Sequence, residues 1–324
     1  MAKYKVSENV LGILWDGLKL YVLHFKQFSK FMLFPILGQL VGVIWALASS
    51  YLFTKNLDYL MKEIPVLNSY VAILTCTLLI AAPGLILFMK AFWDYLVAYG
   101  AINSMTEGAM ATGKIYDFPA HRAIVTRRAG TFILLWLLFS LFTLVSSSIF
   151  LLWLIGAIFF VYFVLIFQVF TFEEDVSAKG CFKRSLMLIK GNFSRTFAIM
   201  IVLGGVTYYL IPMAWLIVFD AIKLSPYLYS LLEGFSSLIP LDTLNSFLAI
   251  ANQPLITKLD VSKSIVSMSV STVVVMATLP LRSVVWTLWY KNLSERDGIP
   301  AKLAKSGKKK LDPEILKRAK KKDD

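Results

Sequence analysis

Charged side chains are scarce. Asp, Glu, Lys and Arg together make up 16% of the 324 residues, where a soluble domain carries about a quarter. Cysteine and histidine are rarer still, at two each. Cys76 falls in an apolar run and Cys181 in a basic segment, so a disulfide framework is excluded. His24 and His121 are linked by no motif. H-E-x-x-H, paired cysteines at zinc spacing, a G-x-S-x-G elbow and a Gly-rich phosphate loop are all missing. No catalytic set, metal site or cofactor is therefore expected from the sequence.

Hydrophobic residues fill the space, at 58%. Stretches without any Asp, Glu, Lys or Arg run over Phe31–Phe53, Ser69–Met89, Ala129–Phe172, Thr196–Phe219 and Ser264–Leu281. Crossing the hydrocarbon takes roughly 20 apolar residues, so most of these suit one span. Ala129–Phe172 is too long: as one helix it would reach ~66 Å against a core of ~30 Å. Two antiparallel spans turning near Ser146–Ser148 fit better. The expectation is an all-α integral membrane protein, a bundle of six transmembrane helices with interfacial amphipathic helices. The spans fall at about 31–53, 69–91, 130–147, 149–172, 196–219 and 264–290, within a transmembrane domain of 31–290.

Placement of the 33 basic residues supports the same count. Lys55, Lys62, Lys223, Lys258 and Lys263 fall in one set of loops, and the remaining 28 lie on the other side. Cytoplasmic segments retain Lys and Arg, which puts both termini in the cytoplasm. The location expected is a bacterial cytoplasmic (inner) membrane.

Residues 1–30 read as an amphipathic interfacial helix, not a signal peptide. Ser7 is its expected cap, and Val10, Leu14, Leu18, Tyr21, Phe25 and Phe28 form its apolar stripe. Between spans two and three the pattern is a continued helix, a Gly turn and a short basic helix. Between spans four and five, Asp175 or Ser177 can cap a helix that Gly191-Asn192 stops. The acids Glu173, Glu174 and Asp175 are expected to favour that helix's N-terminus. The loop 220–263 should carry short helices on the outer interface. Residues 291–324 form a basic, mostly disordered tail with 12 basic and 6 acidic side chains. Its expected partner is anionic lipid, since the stacking aromatics of a nucleic-acid binder are missing.

Breaks in the spans mark candidate hinge or packing positions: Pro83 and Gly84 in span two, Gly204, Gly205 and Pro212 in span five, and Pro280 in span six. Arg282 is the one basic residue well inside an expected span. Ser264, Ser267, Ser271, Thr278 and Arg282 share one helix face, with Trp286, Trp289 and Tyr290 at the interfacial belt beyond. A cation there either snorkels to the headgroups, holds a lipid phosphate or pairs with Asp94.

Two stretches carry a family resemblance. KGCFKRSLMLIKGNFSRTF, with Ser185, Lys190, Gly191, Asn192 and Phe193, and the closing LPLRSVVWTLWYKNLSERDG resemble parts of a polytopic membrane domain. That domain accompanies some bacterial glycerophosphodiester phosphodiesterases and occurs in related stand-alone proteins. The catalytic barrel has no counterpart here, so the resemblance implies a six-span module without that activity. The leading expectation is non-enzymatic lipid or envelope organisation or sensing. A small permease using spans two and five comes second, and a lipid-modifying enzyme using Glu173 or Glu174 last. Oligomeric state and protein partners are not written in the sequence.

Overall fold

The computed structural model describes residues 9–115, 117–148, 152–236, 241–250 and 252–296. The expected cap Ser7 and the tail beyond Arg296 lie outside them. The helices in chain order are α1 (Val10–Leu23), α2 (Phe25–Lys55), α3 (Leu57–Glu63), α4 (Tyr70–Thr112), α5 (Phe118–Thr126), α6 (Ala129–Ser148), α7 (Leu152–Phe163) and α8 (Ile166–Phe172). They continue with α9 (Ala178–Ile189), α10 (Phe193–Gly204), α11 (Ile211–Ala221), α12 (Leu224–Ser236), α13 (Leu241–Ile250), α14 (Lys258–Ala277) and α15 (Leu279–Arg296). No strand occurs among the described residues.

Six of these segments are long and apolar enough to cross a membrane: α2, α4, α6, α7 with α8, α10 through α11, and α14. The chain is an all-α, multi-pass membrane protein. Helices satisfy their own backbone amides, which hydrocarbon cannot do for them. Their outward faces are apolar, as lipid contact requires. On α6, Leu137, Leu141 and Leu144 are 62%, 58% and 62% exposed, at the spacing of one helix face.

The chain divides into two compact units, residues 36–92 with 204–278 and the remainder. In the first of these, α2 and α4 meet backbone to backbone. A Cβ on Gly42 would stand 2.7 Å from the Gly84 carbonyl, and one on Gly84 would stand 2.6 Å from the Gly42 carbonyl. Small residues allow such approach in membrane helices. The same unit packs α12 and α11 on α14. In the other unit, α6 and α7 form the expected antiparallel hairpin, pairing Gly156 with Ser146 and Phe142 with Phe160. α6 includes all three serines and ends at Ser148. Phe132, Trp136, Phe139, Phe167 and Phe170 make an aromatic core behind it.

Several expectations require correction. Span two is not interrupted: α4 runs through Pro83 from Tyr70 to Thr112. A membrane helix tolerates the one amide bond that Pro removes, and Gly84 serves contact rather than bending. Span five does change at Gly204 and Gly205, where π-helical Gly205–Leu210 joins α10 to α11 and Pro212 enters the first turn of α11. Span six is two helices. α14 starts at Lys258, behind a Thr257–Asp260 capping box, and ends at Ala277, while α15 starts at Leu279 with Pro280 in its first turn. Proline has no amide to donate and is harmless there.

The break divides the expected polar stripe. Ser264 is exposed, whereas Thr278 and Arg282 are buried. Trp286, Trp289 and Tyr290 are 9%, 0% and 3% exposed, so they are core residues and not a belt. At the N-terminus, Asn9 caps α1 by accepting from the Gly12 amide at 2.6 Å. The buried face is Ile13, Gly17 and Leu20, not the expected stripe. Gly17 lies so close to Val285 that a Cβ would meet its Cγ2 at 2.5 Å. α1 therefore packs on α15, and residues 25–30 already belong to the α2 helix.

Candidate functional site

Polar chemistry concentrates in the unit that holds α15. From Leu279 to Tyr290 every residue of this helix is buried. A helix buried all round must find partners for its polar side chains. Thr287 donates to Asn103 Oδ1 at 3.1 Å, and Gln168 Nε2 donates to the same oxygen at 3.3 Å. Asn103 Nδ2 donates to Thr171 Oγ1 at 3.3 Å, which ties the continuation of α4 to α8 and α15. Trp289 Nε1 donates to Thr196 Oγ1 at 3.0 Å, reaching α10.

Glu173 is the hub of a second cluster. Its Oε1 accepts from Arg184 Nε and from the Tyr290 hydroxyl, each at 3.0 Å. Ser177, one of the two caps expected for α9, fills that place, its hydroxyl accepting from the Gly180 amide at 3.2 Å. Glu174 and Asp175 are exposed. Tyr290 also stacks on Phe172, with ring centroids 5.2 Å apart, and Lys291 Nζ lies 4.2 Å from the Phe172 centroid. Lys291 pairs with Glu107.

Arg128 closes the cluster from the start of α6. Its guanidinium donates to the carbonyls of Phe170, Glu173 and Val176 at 2.9, 3.3 and 2.7 Å. Carbonyls past a helix end lack internal partners and carry partial negative charge, so a cation there is favoured. The same guanidinium sits 4.5 Å from the Phe170 ring centroid.

Among the residues expected to act, Asp94 pairs with Arg122 of α5. Arg282 is 6% exposed and is engaged within the protein. A side chain so buried is packed among helices and is not spread along a lipid-facing surface. Pro280 lies two residues from it on α15, while Pro83, Gly84, Gly204, Gly205 and Pro212 belong to the other compact unit. Of the histidines, His121 shares a 2.9 Å hydrogen bond with Ser104, and burial pushes the pKa of His24 down. Burial pushes the Cys181 thiol up to about 12, which leaves it protonated and unreactive at neutral pH. No group of three potential metal ligands occurs among the described residues.

Arg128, Arg184, Asn103 and Tyr290 carry this arrangement, and the sequence reading singled out none of them as a site. Their partners lie far along the chain, as with Arg128 and Val176, so no local spacing reveals them. Only the polar run Asn103-Ser104, following the apolar stretch of span two, hints that the helix continues into a packed polar environment. No family model, curated protein or solved structure matches the chain.

Proposed function

We propose that this chain is a non-enzymatic protein of the bacterial inner membrane, with both termini cytoplasmic, that organises or senses lipid. The observation that supports this reading is where the polar groups are spent. Glu173 pairs with Arg184, Arg128 holds backbone carbonyls, and Asn103 bonds to the side chains of Thr171, Gln168 and Thr287. Such groups brace a scaffold. Arg282 is buried on α15 as well. Wide apolar helix faces meet acyl chains, and the basic residues gathered on one side meet anionic headgroups, including those of the tail.

Native mass spectrometry of gently extracted protein tests the reading. Anionic phospholipid should stay bound, and proteoliposomes should show no solute flux above protein-free vesicles. Protein without bound anionic lipid, or with saturable flux, overturns it. The permease alternative draws on one feature, the π-helical Gly205–Leu210 in span five, since such segments often mark functional positions.

A further inference from the structure

We infer that α9 is a headgroup-binding helix, whose outer face lies on the anionic phospholipids of the leaflet it borders. This rests on the lipid reading above and assigns it to one element. α9 is joined to spans at both ends by short connections, 173–177 after α8 and 190–192 before α10. It is therefore held at the level where spans four and five leave the hydrocarbon. Its inner face, Ala178, Cys181, Ser185, Leu188 and Ile189, is buried against α6, α7, α8 and α15. Ser185 fixes its rotation by donating to the Tyr162 carbonyl at 2.6 Å.

Lys179, Lys183 and Lys190 are exposed on the opposite face. Their spacings of four and seven set them in one line, about 16 Å long at ~1.5 Å per residue. That line is longer than a single phosphate and suits several adjacent headgroups. Leu186 and Met187, 36% and 43% exposed, flank that line on its two sides. Lysines interleaved with exposed apolar side chains are the composition of a helix seated in a membrane interface, with lysine stems over apolar groups and ammonium ends among phosphates. Arg184 is not part of the stripe, because it turns back to Glu173. The acids Glu174 and Asp175 are exposed ahead of the helix, and Arg195 adds an exposed cation beyond it. Gly191, at φ 84°, turns the chain sharply from α9 into α10, a conformation that favours glycine.

The test compares melting temperatures of the full chain in nanodiscs of zwitterionic lipid and in nanodiscs with about one-third anionic lipid, at low and high salt. Wild type should gain several degrees from anionic lipid, and salt should erase the gain. K179Q/K183Q/K190Q should melt with wild type in zwitterionic lipid but lose most of the anionic gain, while K55Q/K62Q/K258Q should keep it. If the α9 variant keeps the full gain, or the control variant loses as much, α9 is not the headgroup site and the lipid reading stands. If wild type itself gains nothing, the lipid reading falls and α9 with it.

Discussion

Glu173 shows how a single side chain can hold three elements together. Its carboxylate serves Arg184 on α9 and Tyr290 on α15, and its carbonyl serves Arg128 at the start of α6. The Arg184 and Glu173 side chains are 15% and 17% exposed, so both ions are largely out of water. Breaking such a pair leaves a charge uncompensated, which costs about 3–5 kcal/mol when fully buried and less here. Glu173→Ala should therefore lower stability by about 2–3 kcal/mol. Tyr290→Phe removes one hydrogen bond to a charged group and should cost about 1.5–2 kcal/mol. Thermal melts in one detergent measure both, and the double variant should fall short of the sum because the two share Oε1. Full additivity would mean that the hydroxyl and the carboxylate do not interact.

Among the elements, the glycines of the spans serve two unlike purposes. Gly42 and Gly84 let α2 and α4 touch, and any side chain at either meets backbone atoms of the other helix. Backbone cannot move aside as a flexible side chain can. Gly42→Ala and Gly84→Ala should each lower the melting temperature clearly, by about 1–3 kcal/mol in stability terms. A Cβ on Gly204 would meet no neighbour within 4 Å, and its φ and ψ are helical. Gly204→Ala should be neutral or stabilising by up to about 1 kcal/mol, because alanine loses less backbone freedom on folding. A melt series of the three variants separates contact glycines from the glycine at the π-helical junction. Equal losses at all three positions would contradict this division.

For the whole molecule, the proposed orientation, with both termini cytoplasmic, implies a definite labelling pattern. Single cysteines placed at Lys62 and Ser147, on a cysteine-free background, should react with an impermeant thiol reagent from outside intact cells. Cysteines at Arg127 and Glu174 should react only after the membrane is opened. Arg127 is the better probe than Arg128, since it is exposed and Arg128 holds three carbonyls. Labelling of positions 127 and 174 from opposite faces would break the α6–α7 hairpin topology. The basic asymmetry that motivates this orientation is a property of the entire chain, visible in no single loop.

Five charge-free stretches, the double length of one of them, Ala129–Phe172, and the Ser177 and Gly191 signals around α9 were legible in the residues alone. Each depends on local physics: transfer into hydrocarbon, helix length, a cap, a positive φ. The sequence could not tell that α15 would be a buried central helix. Hydropathy rates LRSVVWTLWY as the end of a span, but α14 ends with Thr278 as its C-cap, a new helix starts with Pro280 in its first turn, and Trp289 and Tyr290 then find Thr196 and Glu173 inside the protein. α1 misled in the same way, because its apolar residues cover more than one face. Leu11, Trp15 and Val22 stay exposed while Ile13 and Leu20 are buried, and only the approach of Gly17 to Val285 selects the inward side. Periodicity tells which residues share a face. Which face is buried, and which polar group meets which, is decided by partners distant along the chain, whose pairing no local pattern encodes.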